Sequence, residues 1–188
     1  MIKSIFQLKY YVGISCVLAL SACEHLQKDA KSVEASYQKS ASDTVIYTNI
    51  VQVLQNIRRD LPSEVRLIVL QGRVLLVGYV ANAQEHIDVV NAIWKIKGVQ
   101  EVIDHLEHVP SNEKIGFDLQ NTFIKTQLDT MFLTNSAVHY GNFQYMVFKK
   151  NLYVLACTAS ETEKEAFYAM VKKTPTLQKV YFYSTHRQ

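Results

Sequence analysis

The chain has three cysteines in 188 residues, and their positions exclude more than they allow. Cys16 and Cys23 fall near the N-terminus, which leaves Cys157 alone in the body of the protein. That body has no internal disulfide, the staple on which many small exported domains depend. It also has no Cys-x-x-Cys pair for redox or metal chemistry. Cys157 reads as a small buried hydrophobe in a strand; a catalytic thiol would need a base beside it, and none is identifiable. The chain lacks a Gly-rich phosphate loop and a Gly-x-Ser-x-Gly elbow. Of the histidines, His25, His139 and His186 are isolated and His86 falls on an exposed helix face. His105 and His108 lie near a strand end, where a spacing of three turns them to opposite faces. No metal centre, cofactor site or catalytic constellation is expected, and the chain reads as non-enzymatic. Excess charge of one sign is missing too: without residues 1–22 there are 18 basic and 17 acidic residues. That balance argues against nucleic acid as a partner.

The longest apolar run near the start, Val12 to Leu20, is too short to span a bilayer as a helix, which takes roughly 20 residues. It follows Lys3 and Lys9 and ends in Leu20-Ser21-Ala22-Cys23, the pattern of a cleaved export signal over 1–22. The ending resembles the lipobox of bacterial lipoproteins. That resemblance implies that Cys23 becomes the first mature residue and carries acyl chains such as palmitate. Each buried methylene adds about 0.8 kcal/mol, so several chains hold a protein on a membrane almost permanently. An ordinary secretory signal that happens to contain a cysteine is the alternative. In lipoproteins an aspartate after the cysteine favours the inner membrane; Glu24 stands here, which points to the outer membrane. Residues 23–42 then read as a lipidated polar tether, whose 19 residues after Cys23 reach roughly 60 Å when extended.

The remainder is a repeat. A shift of 78 residues carries Ile46, Ile50 and Leu54 onto Ile124, Leu128 and Phe132, and Val65, Leu67 and Val69 onto Phe143, Tyr145 and Val147. It also carries Val74, Leu76 and Gly78 onto Leu152, Val154 and Ala156. Within a copy, Asp43 or Thr44 caps a helix with apolar residues at spacings of three and four, ending near Arg58-Arg59. Alternation over 65–69 and 74–80 about Gln71-Gly72 predicts a hairpin. A second helix is expected over 82–97, with Ile87, Val90, Ile93 and Trp94 inward and Gly98 as its stop, then a strand from Val99. The second copy repeats this over 119–133, 143–148, 151–157, 160–173 and 177–184. The expected class is α+β: two tandem αββαβ sandwiches, each a three-stranded mixed sheet with two helices on one face. The boundaries are 43–110 and 117–186.

The ordered set Asp43-x-x-Ile46, Gly72-x-Val74-x-Leu76-x-Gly78-x-Val80 and Gly98-Val99-x-x-Val102 resembles the BON domain, a small module of exported bacterial proteins. The second copy is divergent: Asn121 replaces the opening acid and Ala156 the second glycine. Lipobox, tether and two such modules resemble the plan of the dual-BON outer-membrane lipoproteins of the DolP type, whose soluble relatives are of the OsmY type. The resemblance implies envelope integrity as the role and anionic phospholipid as a partner. It places the contact on the first helix of the second module, in a motif matched here by Asn121, Thr122, Phe123 and Ile124.

Charge agrees in sign. Residues 43–110 hold six basic and eight acidic residues, and 117–188 hold eight and five. The candidate phospholipid-contacting residues are Phe117, Asn121, Phe123 and Lys125. Phe117 and Phe123 dip into headgroups on this reading; on the other they pack between the copies. Lys149-Lys150 and Lys172-Lys173 read as solvated surface, and most of the eleven tyrosines as core or inter-domain packing. The expected location is the periplasmic side of the outer membrane, lipid-anchored. The alternative function is an interaction subunit of a trans-envelope assembly, such as a secretion system or the outer-membrane-protein assembly machinery.

Overall fold

The computed structural model describes residues 42–109, 119–158 and 160–186. The expected signal peptide, Cys23, the tether up to residue 41 and Phe117 lie outside the described residues. Ser42–Gln188 is one compact unit. The first half runs α1 (42–57), a single turn α2 (Leu61–Glu64), β1 (Val65–Leu70), β2 (Arg73–Val80), α3 (Ala83–Trp94) and β3 (Glu101–His108). The second runs α4 (Leu119–Thr134), a 3-10 turn at Tyr140–Asn142, β4 (Phe143–Phe148), β5 (Asn151–Thr158), α5 (Glu161–Val171) and β6 (Lys179–His186). All six strands keep the 78-residue register at both ends.

Each half is a three-stranded mixed sheet with its second strand central: β1 pairs antiparallel and β3 parallel to β2, and β4 and β6 do the same to β5. The hairpin turns are tight and left-handed, at Gln71-Gly72 (φ 53° and 75°) and at Lys149-Lys150 (φ 49° and 61°). One device closes both copies. Asp43 accepts from the backbone N–H of Gln71 and Gly72 at 2.7 and 2.8 Å, and Asn121 accepts from Lys150 N–H at 2.9 Å. The first helix of each half is thereby fastened to its hairpin tip. Asn82 and Ser160 cap the second helices by accepting from Glu85 and Glu163 N–H.

The helix-side core of the first half gathers Ile46, Ile50, Leu54, Val74, Leu76, Val80, Val89 and Ile93. That of the second gathers Ile124, Leu128, Phe132, Phe143, Leu152, Val154 and Phe167, with Phe143 stacked on Phe167 at 5.0 Å. The opposite sheet faces are also apolar, and they pack on each other. Leu75 and Val77 meet Met146, Phe148, Tyr153 and Leu155, with Ile68, Tyr79, Ile103, Tyr181 and Tyr183 around them. Each such side chain buried is worth about 1.5–3 kcal/mol. The layers therefore run helix, sheet, sheet, helix.

Several expectations need correction. The first helix already includes residue 42, so neither Asp43 nor Thr44 caps it, and the Asp43 carboxylate goes to the hairpin tip instead. The expected inward set on the second helix is out of phase: α3 buries Val89 and Ile93 and leaves Ile87 and Trp94 half exposed. The helix is turned by Glu85, which binds Ala81 N–H at 2.6 Å and Arg58 at 2.8 Å, an ionic anchor that apolar periodicity does not register. It also stops at Trp94 rather than reaching Gly98. The last strands begin at Glu101 and Lys179, two residues later than expected.

Candidate membrane-contacting face

The α4 helix buries Asn121, Ile124, Leu128 and Phe132 along one side. At the same period of three and four, Leu119, Thr122, Phe123, Thr126, Thr130 and Leu133 occupy the outer side. Leu119 is 73% exposed, Phe123 60% and Leu133 80%. No charged residue interrupts this outer row. The hydroxyls of Thr126 and Thr130 donate back to the carbonyls of Thr122 and Thr126, each at 3.0 Å, and Thr134 donates to Thr130 at 2.9 Å. A hydroxyl with its proton already bonded to the helix loses less on leaving water than a free one.

Of the four candidate contact residues, Phe123 and Lys125 are at the surface. Phe123 points outward rather than into the contact between the sheets. Asn121 is 6% exposed and bonded to the hairpin tip, so its part is to set the start of α4. Phe117 lies outside the described residues. Lys125 is paired with Asp129 at 2.8 Å, and Asp129 also accepts from the Tyr145 hydroxyl. Burial pushes the Asp129 carboxyl up, but the bonds from Lys125 and Tyr145 outweigh it and hold the group below its ordinary value. Tyr145 is pushed up, first by burial and then by Asp129. The Lys125 charge is thus matched locally.

The fold gathers other cations where α4 begins. Asn121 holds the Lys149-Lys150 turn against that end, and Asn151 pairs with Lys179 at the start of β6. The α5 helix returns from the far end of β5, so Lys172 and Lys173 finish at the same end. Lys149 is used between the halves: it pairs with Glu107 at 2.6 Å and sits 4.8 Å from the Tyr79 ring centre. Among the described residues, Lys150, Lys172, Lys173 and Lys179 have no carboxylate partner. Glu161, Glu163 and Glu165 stand at the start of α5, the opposite end. The second half is therefore polarised along its length, and the helix dipole adds partial positive charge at the start of α4. In the sequence Lys149-Lys150 and Lys172-Lys173 read as solvated surface, because only the return of α5 and the parallel β5–β6 pairing bring them together. The turn itself carries a signal: two lysines in left-handed backbone cost about 1–2 kcal/mol each where glycine would cost little.

Residues 42–110 match the model of the BON domain family, and this segment is a BON domain. BON-domain proteins are in general periplasmic or membrane-associated, and the family is not one of enzymes. The second half lies beyond the match and is tied to the first by the register of its elements. No curated protein matches the chain. Among solved structures, CdsD, a structural protein of the type III secretion system of Chlamydia trachomatis, is similar at 10% identity and a TM-score of 0.29, over 73% of this chain and 91% of that one. The C-terminal domain of CdsD gives the same identity and TM-score over 72% of this chain and 63% of that one. Likeness at that level bears on neither fold nor function.

Proposed function

We propose that the protein is a lipid-anchored periplasmic protein that binds anionic phospholipid at the inner leaflet of the outer membrane and so supports envelope integrity. Acyl chains on Cys23 supply the tether. The start of α4 supplies the lipid contact, with Leu119 and Phe123 entering the headgroup layer and lysines meeting the phosphates. The observation that carries this reading is the coincidence, at one end of the second half, of an uncharged helix face bearing Leu119 and Phe123 and four lysines that have no carboxylate partner among the described residues. Each lysine near an anionic surface adds about 1 kcal/mol, so the four amount to about 4 kcal/mol. Phe123, 60% exposed, adds roughly 2–3 kcal/mol when buried.

Flotation of a soluble form without Cys23 on vesicles tests it. Binding is expected to vesicles containing phosphatidylglycerol and not to purely zwitterionic ones. Phe123→Ala is expected to weaken it by about 100-fold, and 0.5 M salt to abolish most of the lysine contribution. Equal binding by Phe123→Ala removes the site, and no binding to any vesicle removes the mechanism. The second reading, an interaction subunit of a trans-envelope or outer-membrane-protein assembly complex, draws on Ile87 and Trp94, half exposed on one side of α3. Purification in a stoichiometric large complex would favour it.

A further inference from the structure

The first half carries a polar cluster that the lipid reading does not use. His86, in the second turn of α3, faces the far end of β3. Its Nδ1 lies 2.8 Å from His108 Nε2, and the two rings are perpendicular with centres 5.1 Å apart. On its other side His86 Nε2 is bonded to an Asp104 carboxylate oxygen, and the second Asp104 oxygen accepts from Leu106 N–H at 2.9 Å. A carboxylate only accepts, so His86 carries its proton on Nε2 and turns the lone pair of Nδ1 toward His108. Metal-binding histidines are commonly held this way: a carboxylate fixes the tautomer and leaves the opposite nitrogen free to ligate.

We infer that His86 and His108 form a two-imidazole site for a divalent cation of tetragonal geometry, copper(II) first, with Asp104 as the positioning residue for His86. The resting spacing is close to that of a tetragonal ion. Neighbouring nitrogens at right angles about a metal, with bonds of about 2.0 Å, lie about 2.8 Å apart, whereas a tetrahedral ion separates them by about 3.3 Å. In the neutral pair the proton between the rings belongs to His108 Nε2; on metal binding it moves through water to His108 Nδ1, and the exposed ring rotates until the freed Nε2 lone pair and that of His86 Nδ1 meet at the ion. Water fills the remaining positions, since among the described residues no group of three or more ligating side chains converges. Copper also stands above nickel and zinc in intrinsic affinity for such donors. The site belongs to the first half alone: a shift of 78 residues puts Lys164 and Phe182 where His86 and Asp104 stand.

The test is titration of the full mature protein with copper(II) sulfate at neutral pH, read by competition for affinity and by electron paramagnetic resonance for ligand nitrogens. One equivalent with two imidazole nitrogens is expected. His86→Ala and His108→Ala should each weaken binding at least about tenfold, and Asp104→Asn by about 10–100-fold with both nitrogens retained. Circular dichroism checks the fold of each variant; should His86→Ala unfold, the exposed His108→Ala still decides. Zinc is expected to bind more weakly than copper. Wild-type affinity in the His86→Ala, His108→Ala double variant would overturn the proposal, as it would place the copper on His25, His105, His139 or His186. Asp104→Asn without effect would overturn the positioning role, and zinc binding as tightly as copper would overturn the tetragonal geometry. Vesicle binding is independent of all three variants, so failure here leaves the lipid reading intact, and the reverse holds.

Discussion

Gly78 and Ala156 occupy the same place in the two copies, and the structure predicts opposite tolerance to the same change. Gly78 has φ +146°, which side chains rarely adopt. A Cβ there would lie 2.1 Å from the backbone oxygen of Glu64 and 3.0 Å from Val65 Cα. The obstacle is main chain at the junction of α2 and β1, so no side chain can swing aside. Ala156 has no such problem: its φ is not positive, and the segment ahead of β4 is a 3-10 turn rather than an α-helical one. For Gly78→Ala the backbone conformation alone costs about 1–3 kcal/mol. Parting α2 from β2 to admit the methyl costs more, by breaking the fit of Leu61 and Val65 into the core; about 4 kcal/mol in all is expected. A domain of this size shifts by roughly 2–4 °C per kcal/mol, so the melting temperature should fall by about 8–16 °C. Ala156→Gly, which removes one buried methyl, should cost about 1 kcal/mol. Thermal unfolding followed by far-UV circular dichroism, on both variants in one buffer, measures this. A Gly78→Ala protein melting within about 2 °C of wild type would refute the steric argument, and a larger fall for Ala156→Gly would invert it.

Two further outcomes follow from the fastening of helix to hairpin and from the contact between the sheets. Asp43→Ala removes two charge-assisted bonds to a left-handed turn and should destabilise by about 2–3 kcal/mol in urea unfolding. Asp43→Asn should recover part of that, because Asn121 does the same work in the second copy. His105 lies among Tyr153, Tyr181 and Tyr183 and is hydrogen-bonded to the Tyr183 hydroxyl; the charge that acts on it is the neighbouring Asp104 carboxylate. Burial pushes the imidazole below its ordinary 6.5, against a smaller upward pull from Asp104. The unfolded chain therefore takes up the proton first on acidification, so this contribution is complete above about pH 6.5 and is lost as the pH falls below it. Unfolding at pH 7.5 and pH 5 should show a larger acid loss for wild type than for His105→Gln; equal losses would show that His105 is not the group responsible.

Strands were the most legible part of the chain. Period-two alternation on both sides of Gln71-Gly72 and Lys149-Lys150 marks each hairpin, and the 78-residue shift supplies an internal second reading of every element. What stayed hidden depends on contacts between elements distant in sequence. The single turn α2 is too short for any period to show. The phase of α3 is set by Arg58, which pairs with Asp60, Glu64 and Glu85 and is held more firmly charged by the Glu64 bond, despite some loss of solvent. Asn121 reads as an exposed motif position and is buried, because the hairpin it fastens returns to α4 from 29 residues further on. The near-continuous apolar run Arg73–Val80 does contain its message: a strand buried on both faces has two partners, here helices on one side and a second sheet on the other.

That stacking bears on how charge acts at a membrane. Both open sheet faces are consumed, so helices form the two broad outer surfaces of the stack. The halves differ in net charge, −2 over 43–110 and +3 over 117–188. Sheets pack about 10 Å apart and helices lie about 10 Å above their sheets, so the outer helices of the first half stand some 30 Å from those of the second. The field of an anionic leaflet falls off over about 8 Å at physiological salt. With α4 against the leaflet, the lysines around its start lie inside that field, while the acidic half lies several screening lengths beyond it and opposes binding hardly at all. Turned the other way, the stack would set the net acidic half toward the headgroups and the lysines out of reach. On the proposed function, the orientation of the protein then needs no specific lipid pocket: an uncharged helix face, lysines gathered at one end and the thickness of two sheets suffice to choose it.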